Sequence, residues 1–392
     1  MNHCNICGGG VKQIYKLPFR DLQGTGTKEY IQELYFCETC GFLFTGNPLS
    51  EKQLADRYQN FSKFEFDQDS YILNESDTYK KRCSRQFHFI MEAIGDDFSS
   101  VLEVGAASGY NLSLYADKEV MGIEPSAQNC LAARRRYHVQ MYQGMFQQFI
   151  KENTKSYDLI FLSHTLEHMV NPRDFILQCG RICNAYIFIE VPGMDYKFLD
   201  EPMGMFCEEH VNYFTLESLS SLMYSAGFVP VDVNYIFGLY QCLPAGWPAM
   251  STLWKKAEHG AKMPRVPVLR SALLVREYLE KNQELLEKIR KRIDQIPVDK
   301  RLAVWGTGHH ASMLLANTSL SEKNLVKVYD SDERKYQYTF HGLPICGFDE
   351  NDIYSKIIDA VLVATYTAQK AICKVLEPFA GICSIYCLYE IP

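Results

Sequence analysis

From Arg85 to about Val233, apolar runs of strand length alternate with stretches whose apolar residues recur at helical spacing. VLEVG, VMGIEP, YDLIFLS and AYIFIEVPG read as strands, with helices between them. Near-continuous apolar strands separated by helices predict a doubly wound parallel sheet covered on both faces. A second, shorter alternation follows in RLAVWGTG, LVKVYDSD, DAVLVAT and CSIYCLY, which predicts a smaller α/β unit. Between the two, Leu274, Tyr278, Leu286, Ile289 and Ile293 keep a period near 3.6 from Val268 to Ile296, and Pro297 ends the pattern, so a long amphipathic helix is expected. Residues 241–267 carry Pro244, Pro248, Pro264 and Pro267 and read as a linker. Residues 1 to 48 are glycine-rich and cysteine-paired, and Leu54, Tyr58 and Phe61 suggest a helical connector after them. The expected division is a small module at 1–60, a core at 61–250, a linker with the long helix at 251–297, and a carboxy-terminal domain at 298–392.

Composition narrows the class. At 392 residues the chain exceeds one ordinary core, and 47% apolar with 22% charged residues suits a globular protein. The net charge is −7, and the dense basic clusters Arg134 to Arg136 and Lys288 to Arg292 fall in expected helices, so no nucleic-acid partner is expected. The start, MNHCNICGGG, lacks a positive flank followed by an apolar stretch, and no apolar run reaches the roughly 18 residues of a membrane span. The expectation is a soluble protein without a membrane partner. Fourteen cysteines without a secretion signal read as thiols and metal ligands of a reducing cytoplasm.

Cys4 with Cys7, and Cys37 with Cys40, form two CxxC pairs, each followed by glycine. Two intervening residues let a turn aim both sulfurs at one ion, and two such turns complete a closed tetrahedral site, so a structural zinc is expected. Cys179 with Cys183, and Cys383 with Cys387, read as packing residues.

VLEVGAASGYN places Glu103, Gly105 and Gly109 where a strand turns into a helix, and Glu124 ends the next strand about 20 residues on. Glycines allow a close backbone approach, and the distant acid is placed to accept hydrogen bonds from a ribose. The same logic serves an adenosylmethionine or an NAD cofactor. A second such unit occurs late in the chain, with Gly306, Gly308 and Ala311 after a strand and Asp330 ending the next, and it keeps an NAD(P)-dependent oxidoreductase open as a rival reading.

EVGAASG, IEP, YDLIFLSHTLEH and IFIEVPG together resemble the class I S-adenosylmethionine-dependent methyltransferases that carry an HxLEH segment after the fourth strand. The resemblance implies that Glu103, Gly105 and Gly109 surround the methionine end of the cofactor. It further implies that Glu124 holds the ribose, that Met145 and Phe146 lie near adenine, and that Ser163 and His164 line the methyl-transfer face. QGMFQQF lacks the acid many relatives place near the adenine amino group. A sulfonium methyl is already activated, so the enzyme has to align an acceptor and remove a proton. His164, His168 and His210 compete for that proton. His168 reads as packing or capping, whereas His210, in FCEEHVNYF, stands beside Glu209, which can orient an imidazole.

The paired-cysteine module, class I core and Rossmann-like carboxy-terminal domain also resemble the bacterial nucleotide-sugar C-methyltransferases, over nearly the whole chain. That family uses a Tyr, a Glu and a His in a YxEHxxYF segment. Here Glu209 and His210 fill the last two roles and Cys207 stands at the aromatic position. EHVNYFTLESL followed by AGF occurs also in broader relatives, so methylation of a hydroxyl on another small-molecule or glycan acceptor stays open. The resemblance implies that the carboxy-terminal domain serves the substrate, with His309 and His310 facing a phosphate or sugar. Tyr213 and Phe214 read as core. YILNESDTY, from Tyr71 to Tyr79, reads equally as a substrate-contacting segment or a surface loop.

Overall fold

The computed structural model describes residues 3–22, 27–50, 53, 66–67, 72–73, 77–195, 202–236, 248–258, 260–262 and 264–390. Leu54, Tyr58 and Phe61 of the expected connector, and residues 71 and 74–76 of the 71–79 stretch, lie outside the described residues.

Three larger sheets organise the described residues, besides a short antiparallel pairing of Phe66–Asp67 with Ile72–Leu73. At the amino end β1 (Val11–Leu22) and β2 (Thr27–Cys37) form an antiparallel hairpin, continued by β3 (Leu43–Thr45). Leu17, Phe19 and Leu22 of β1 are buried while Arg20 between them is exposed, the alternation of a one-faced sheet. The fourth strand of this sheet, Asn212–Tyr213, comes from far along the chain and pairs with β3.

The second sheet has seven strands. In chain order they are β4 (Ser100–Val104), β5 (Glu119–Glu124), β6 (Gln140–Gln143), β7 (Tyr157–Ser163), β8 (Cys183–Pro192), then, after the Asn212–Tyr213 strand that we number β9, β10 (Phe228–Ile236) and β11 (Ala249–Lys256). Across the sheet they run β10-β11-β8-β7-β4-β5-β6. All are parallel except β11, which is antiparallel to both neighbours. Helices cover both faces, so every residue of β4 is buried, as the apolar runs predict. The reading of 241–267 as a linker is corrected at 249–256. AMSTLWKK, flanked by prolines, forms a strand whose first six residues are buried, and it crosses the expected boundary at 250. Prolines on either side hid a short β-branched and aromatic run.

The long helix expected after the core is α7 of the helices α1 (Asp77–Ile94), α2 (Tyr110–Ser113), α3 (Ala127–Tyr137), α4 (Phe146–Glu152), α5 (Pro172–Ile182), α6 (Leu216–Ser225) and α7 (Ser271–Asp294). It buries Tyr278, Leu286, Ile289 and Ile293. The third sheet, β14-β15-β13-β12-β16-β17, is built from β12 (Leu302–Trp305), β13 (Leu325–Tyr329), β14 (Thr339–Phe340), β15 (Leu343–Cys346), β16 (Ala360–Val363) and β17 (Ser384–Cys387). It is parallel apart from its edge strand β14. One apolar cluster joins β1, the 203–213 segment, α7 and this last sheet. Among the described residues, no helix is long and apolar enough to cross a membrane.

Where α7 begins, Glu217 of α6 accepts hydrogen bonds from the main-chain nitrogens of Leu269, Arg270 and Ser271 and from the Ser271 hydroxyl. A carboxylate there satisfies amides that lack intrahelical partners and opposes the positive end of the helix dipole. Replacing Glu217 with alanine is expected to cost about 1 kcal/mol of stability, as losing a helix cap does, measured as a lower urea midpoint at neutral pH.

Candidate functional site

The carboxyl edge of the core sheet is where the chain leaves each strand and can surround a ligand. After β4 the backbone turns sharply. Gly105 has φ +80 and Gly109 has φ +74, conformations that favour glycine. Added Cβ atoms would meet Thr165 Oγ1 at 2.9 Å and Ala133 Cβ at 2.8 Å. Glu124, at the tip of β5, grips this turn: its carboxylate accepts from Ala107 N (3.0 Å) and Ser126 N (2.9 Å). Glu103, one strand over, is buried, and its Oε1 accepts from Asn111 Nδ2 at 3.2 Å. Its Oε2 has no hydrogen-bond partner among the described residues. Burial pushes the Glu103 carboxyl up to about 8, the hydrogen bond from Asn111 opposing it in part.

Met145, half exposed, caps α4 after β6, and Phe146 is buried with its ring 4.8 Å from that of Phe175. Gly144 N donates to Glu124 O, which puts Met145 beside the Glu124 tip.

After β7, His164 adopts φ +51, a strained conformation for a residue with a side chain. Its main-chain N donates to Glu190 O, and Nδ1 lies 3.2 Å from Glu167 Oε1. HTLEH does not open a helix. Leu166–His168 is a single 3₁₀ turn, and α5 begins only at Pro172. Thr165 ties the turn to the glycine loop by donating to Val104 O at 2.9 Å. Ser163 Oγ accepts from Gln86 Nε2 at 2.9 Å.

Beneath this turn lies Glu190 of β8, with no side-chain exposure. Arg85 Nη2 contacts both its oxygens at 3.1 and 2.9 Å, Gln86 Nε2 donates at 2.7 Å, and Ser251 Oγ donates as well. Burial alone would raise this carboxyl. The hydrogen bond from His164 and the charges of Arg85, His164 and Arg82 outweigh it and hold Glu190 at about 2. Sequence reading passed over this residue, although a lone acid inside the apolar run IFIEVP is a signal in itself. Arg85 and Gln86 carried none, since polar residues on a helix look solvated.

His210 is buried, and its ring stands edge-on to that of His168 with centroids 5.0 Å apart. His168 Nδ1 lies 3.0 Å from the carbonyl oxygen of Glu209, so His168 ties the 166–168 turn to the segment that carries His210. Glu167, buried, is held at about 2: burial would raise it, while the His164 hydrogen bond and charges on His168, His164 and His210 lower it further. The 207–213 segment is docked from two sides. Val211 N donates to Glu167 O, and Asn212 Nδ2 donates to Leu166 O and Met169 O. From the amino-terminal sheet, Gln32 Nε2 donates to Cys207 O at 2.9 Å and Thr45 Oγ1 donates to His210 O at 3.3 Å. Tyr213 and Phe214 are core, as expected, yet the Tyr213 hydroxyl also donates to His210 O at 2.8 Å.

Cys4, Cys7, Cys37 and Cys40 converge, all four sulfurs lying within 4.8 Å of one another. The Cys4 and Cys40 sulfurs are 3.5 Å apart, as are those of Cys7 and Cys37. Ile6 N and Gly9 N point at Cys4 Sγ and Cys7 Sγ, an arrangement suited to thiolates. Tetrahedral bonds of about 2.3 Å place sulfurs a little under 4 Å apart, so the donor set fits one tetrahedral ion. Cys179 and Cys183 are buried as packing residues, but Cys387 is exposed, with Cys373 Sγ 3.0 Å away, against expectation.

In the carboxy-terminal sheet Asp330 follows β13 as expected. Its carboxylate accepts from Thr307 N, Thr307 Oγ1, Asp332 N and Lys335 Nζ, all within 3.0 Å. His310 is buried against the Tyr389 hydroxyl, which corrects the expectation that it faces a ligand.

Residues 76–233, which span β4 to β9, match a family model described as a methyltransferase domain. The chain thus carries a methyltransferase domain over these residues, and the glycine turn and acid pair lie inside the matched region. Solved structures similar to the chain include magnesium protoporphyrin IX methyltransferase (ChlM) from Synechocystis PCC 6803, at 12% identity and TM-score 0.40, covering 53% of this chain and 100% of that one. N-methyltransferase NodS from Bradyrhizobium japonicum WM9 is similar at 12% identity and TM-score 0.37 over 47% and 90%. CalS10, an amino pentose methyltransferase from Micromonospora echinaspora, is similar at 13% and 0.34 over 47% and 93%. Likenesses at this level assign no residue a role. No curated protein matches the chain.

Removing Arg85 leaves the Glu190 charge buried with one partner fewer. Arg85→Ala is expected to cost about 3 kcal/mol at pH 7, the usual penalty for orphaning a buried charge. The Glu190 carboxyl is depressed in the fold, so its contribution is complete above its unfolded value near 4.3 and is lost as pH falls toward about 2. Urea midpoints of mutant and wild type should therefore converge as the pH is lowered through that window.

Proposed function

We propose that this methyltransferase acts on a nucleotide-activated ketosugar or a related glycan precursor, with His210 as the general base. The observation that carries the reading is the docking of the buried His210 beside the 165–168 turn, which itself rests on the glycine loop through Thr165. An imidazole held there, next to the turn that Thr165 ties to the cofactor loop, is the residue type suited to take the proton that the acceptor loses. The Glu209 main-chain carbonyl fixes His168, and a carboxylate oxygen of Glu167 lies within 4.8 Å of a ring nitrogen of each imidazole, which supports an acid-assisted imidazole pair.

Bound S-adenosylmethionine supplies an electrophilic methyl group. The residues that would hold it fit its chemistry. Glu103 keeps one buried oxygen with no hydrogen-bond partner among the described residues, which an ammonium group satisfies, and Glu124, held by the Ala107 and Ser126 amides and the Asn129 side chain, keeps acceptor capacity for a ribose hydroxyl. Gly105, Gly109, Ser163 and His164 border the same edge, with Met145 and Phe146 beside the Glu124 tip. The closed cysteine set supports a structural zinc that shapes the amino-terminal sheet and takes no part in the chemistry.

An oxidoreductase reading centred on Gly306 and Gly308 is disfavoured by Asp330, whose carboxylate is already engaged by four donors and has little left for a ribose. The Rossmann-like carboxy-terminal domain then serves the acceptor.

His210→Ala is expected to lower turnover by a factor on the order of 100 with adenosylmethionine affinity near wild type, the usual contribution of a general base. The assay is mass spectrometry of a nucleotide-sugar panel incubated with labelled cofactor. Unchanged turnover removes His210 from the mechanism, and an O-methyl product replaces the ketosugar by a hydroxyl acceptor. Independently, Glu124→Ala is expected to weaken adenosylmethionine binding about tenfold or more in calorimetry, as loss of hydrogen bonds to a charged group does. Tighter binding of NADH than of adenosylmethionine would favour the oxidoreductase.

A further inference from the structure

Glu167, His168 and His210 present one ligand atom each within 4.8 Å of one another, on two segments that the Val211–Glu167 main-chain hydrogen bond locks together. Two imidazoles and a carboxylate are a donor set suited to first-row divalent ions, and three protein ligands leave positions open for an outside group. Several details point the same way. Glu167 is almost fully buried, its Oε1 is engaged by His164, and its Oε2 has no hydrogen-bond partner among the described residues. His168 Nδ1 faces the Glu209 carbonyl at 3.0 Å, which fixes the proton on that nitrogen and turns the Nε2 lone pair toward Glu167, with Oε1 at 4.0 Å. A backbone carbonyl on the far nitrogen is the usual outer support of a metal-bound histidine.

We propose that Glu167, His168 and His210 form a divalent transition-metal site separate from the four cysteines, and that an ion held there ties up the His210 imidazole. The first half stands on the donor geometry alone. The second half rests on the reading of His210 as base, and predicts that metal loading inhibits methyl transfer, since a coordinated lone pair accepts no proton.

The test uses the full-length protein with its cysteine-site zinc content fixed by metal analysis, titrated with Co²⁺ and followed by calorimetry and visible absorption. Cobalt on nitrogen and oxygen ligands gives d–d bands without the intense thiolate charge transfer of a cysteine site, so the two sites are told apart by spectrum. The expected result is a further equivalent of Co²⁺ without thiolate absorption, with affinity weakened at least tenfold in Glu167→Gln and in His168→Gln while the zinc content stays unchanged. Circular dichroism and a cooperative melt establish that each variant folds, and Cys4→Ser serves as the reverse control, losing zinc while retaining the cobalt bands. Absence of the further equivalent, or equal affinity in both Glu167 and His168 variants, overturns the site. Turnover separates the two halves. Cobalt binding with unchanged turnover keeps the metal site and removes His210 as base; no cobalt binding with an inactive His210→Ala keeps the base and removes the metal site.

Discussion

A parallel sheet delivers its strand ends to one edge, and this chain has buried acids along that edge. Each buried carboxylate must find compensation, and four of them do so in four ways. Glu124 takes two main-chain amides. Glu190 takes a guanidinium, an amide and a hydroxyl. Glu167 leans on imidazoles. Glu103 has a single amide donor, and burial pushes it up to about 8. Read by what satisfies them, Glu190 is framework, Glu124 is a clamp that keeps capacity for a ligand, and Glu167 and Glu103 each have an oxygen that a ligand can complete.

The framework acids do structural tasks that the rest of the cleft depends on. Glu190 gathers α1, β8 and β11 and anchors the strained His164, whose main-chain N is bonded to the Glu190 carbonyl. Strain at His164 costs free energy, and the network beneath it is what holds the conformation. From there the 165–168 turn leads to Glu167 and His168, and Thr165 closes the path back to the glycine loop. The amino-terminal sheet reaches the same place by strand addition. β9 is both the fourth strand of that sheet, paired with β3, and the continuation of the His210 segment, so the sheet that carries Cys37 at the end of β2 also holds His210 in place. Main-chain pairing, with Gln32 and Thr45 as side-chain supports, thus ties the His210 segment to the sheet that carries the cysteines.

Much of this was legible in the sequence where the signal was periodic or chemically distinctive. The parallel strands announced themselves as apolar runs, the long helix by its 3.6 period, the cysteine turns by spacing, and the Glu103 to Glu124 unit by glycines and a distant acid. What was not legible is what depends on distant pairing. The strand Ala249–Lys256 is buried between β8 and β10, yet its neighbours in sequence are prolines and lysines that mask it. His168 looked like a helix residue because HTLEH has no mark of the 3₁₀ turn that aims its ring at His210. Gln32 carries no local signal at all, since its function exists only once β9 has crossed to the amino-terminal sheet.

Two units of this chain share the strand, glycine turn and distant acid, and their side chains show why the pattern alone assigns no ligand. In each, the acid of the second strand accepts from a main-chain N of the first turn, Ala107 for Glu124 and Thr307 for Asp330. That bond is a structural clamp between adjacent strand ends, useful whether or not anything binds. The difference lies in what else reaches the acid. Asp330 also receives the Thr307 hydroxyl and the Lys335 ammonium, so a ribose there would have to displace a charge-assisted bond. Glu124 is held by amides alone, and beside it stands Glu103 with an unmade hydrogen bond. Ligand competence in such a fold is therefore decided by the residues that leave the acid unsaturated, and in the first unit two adjacent strand tips do so together.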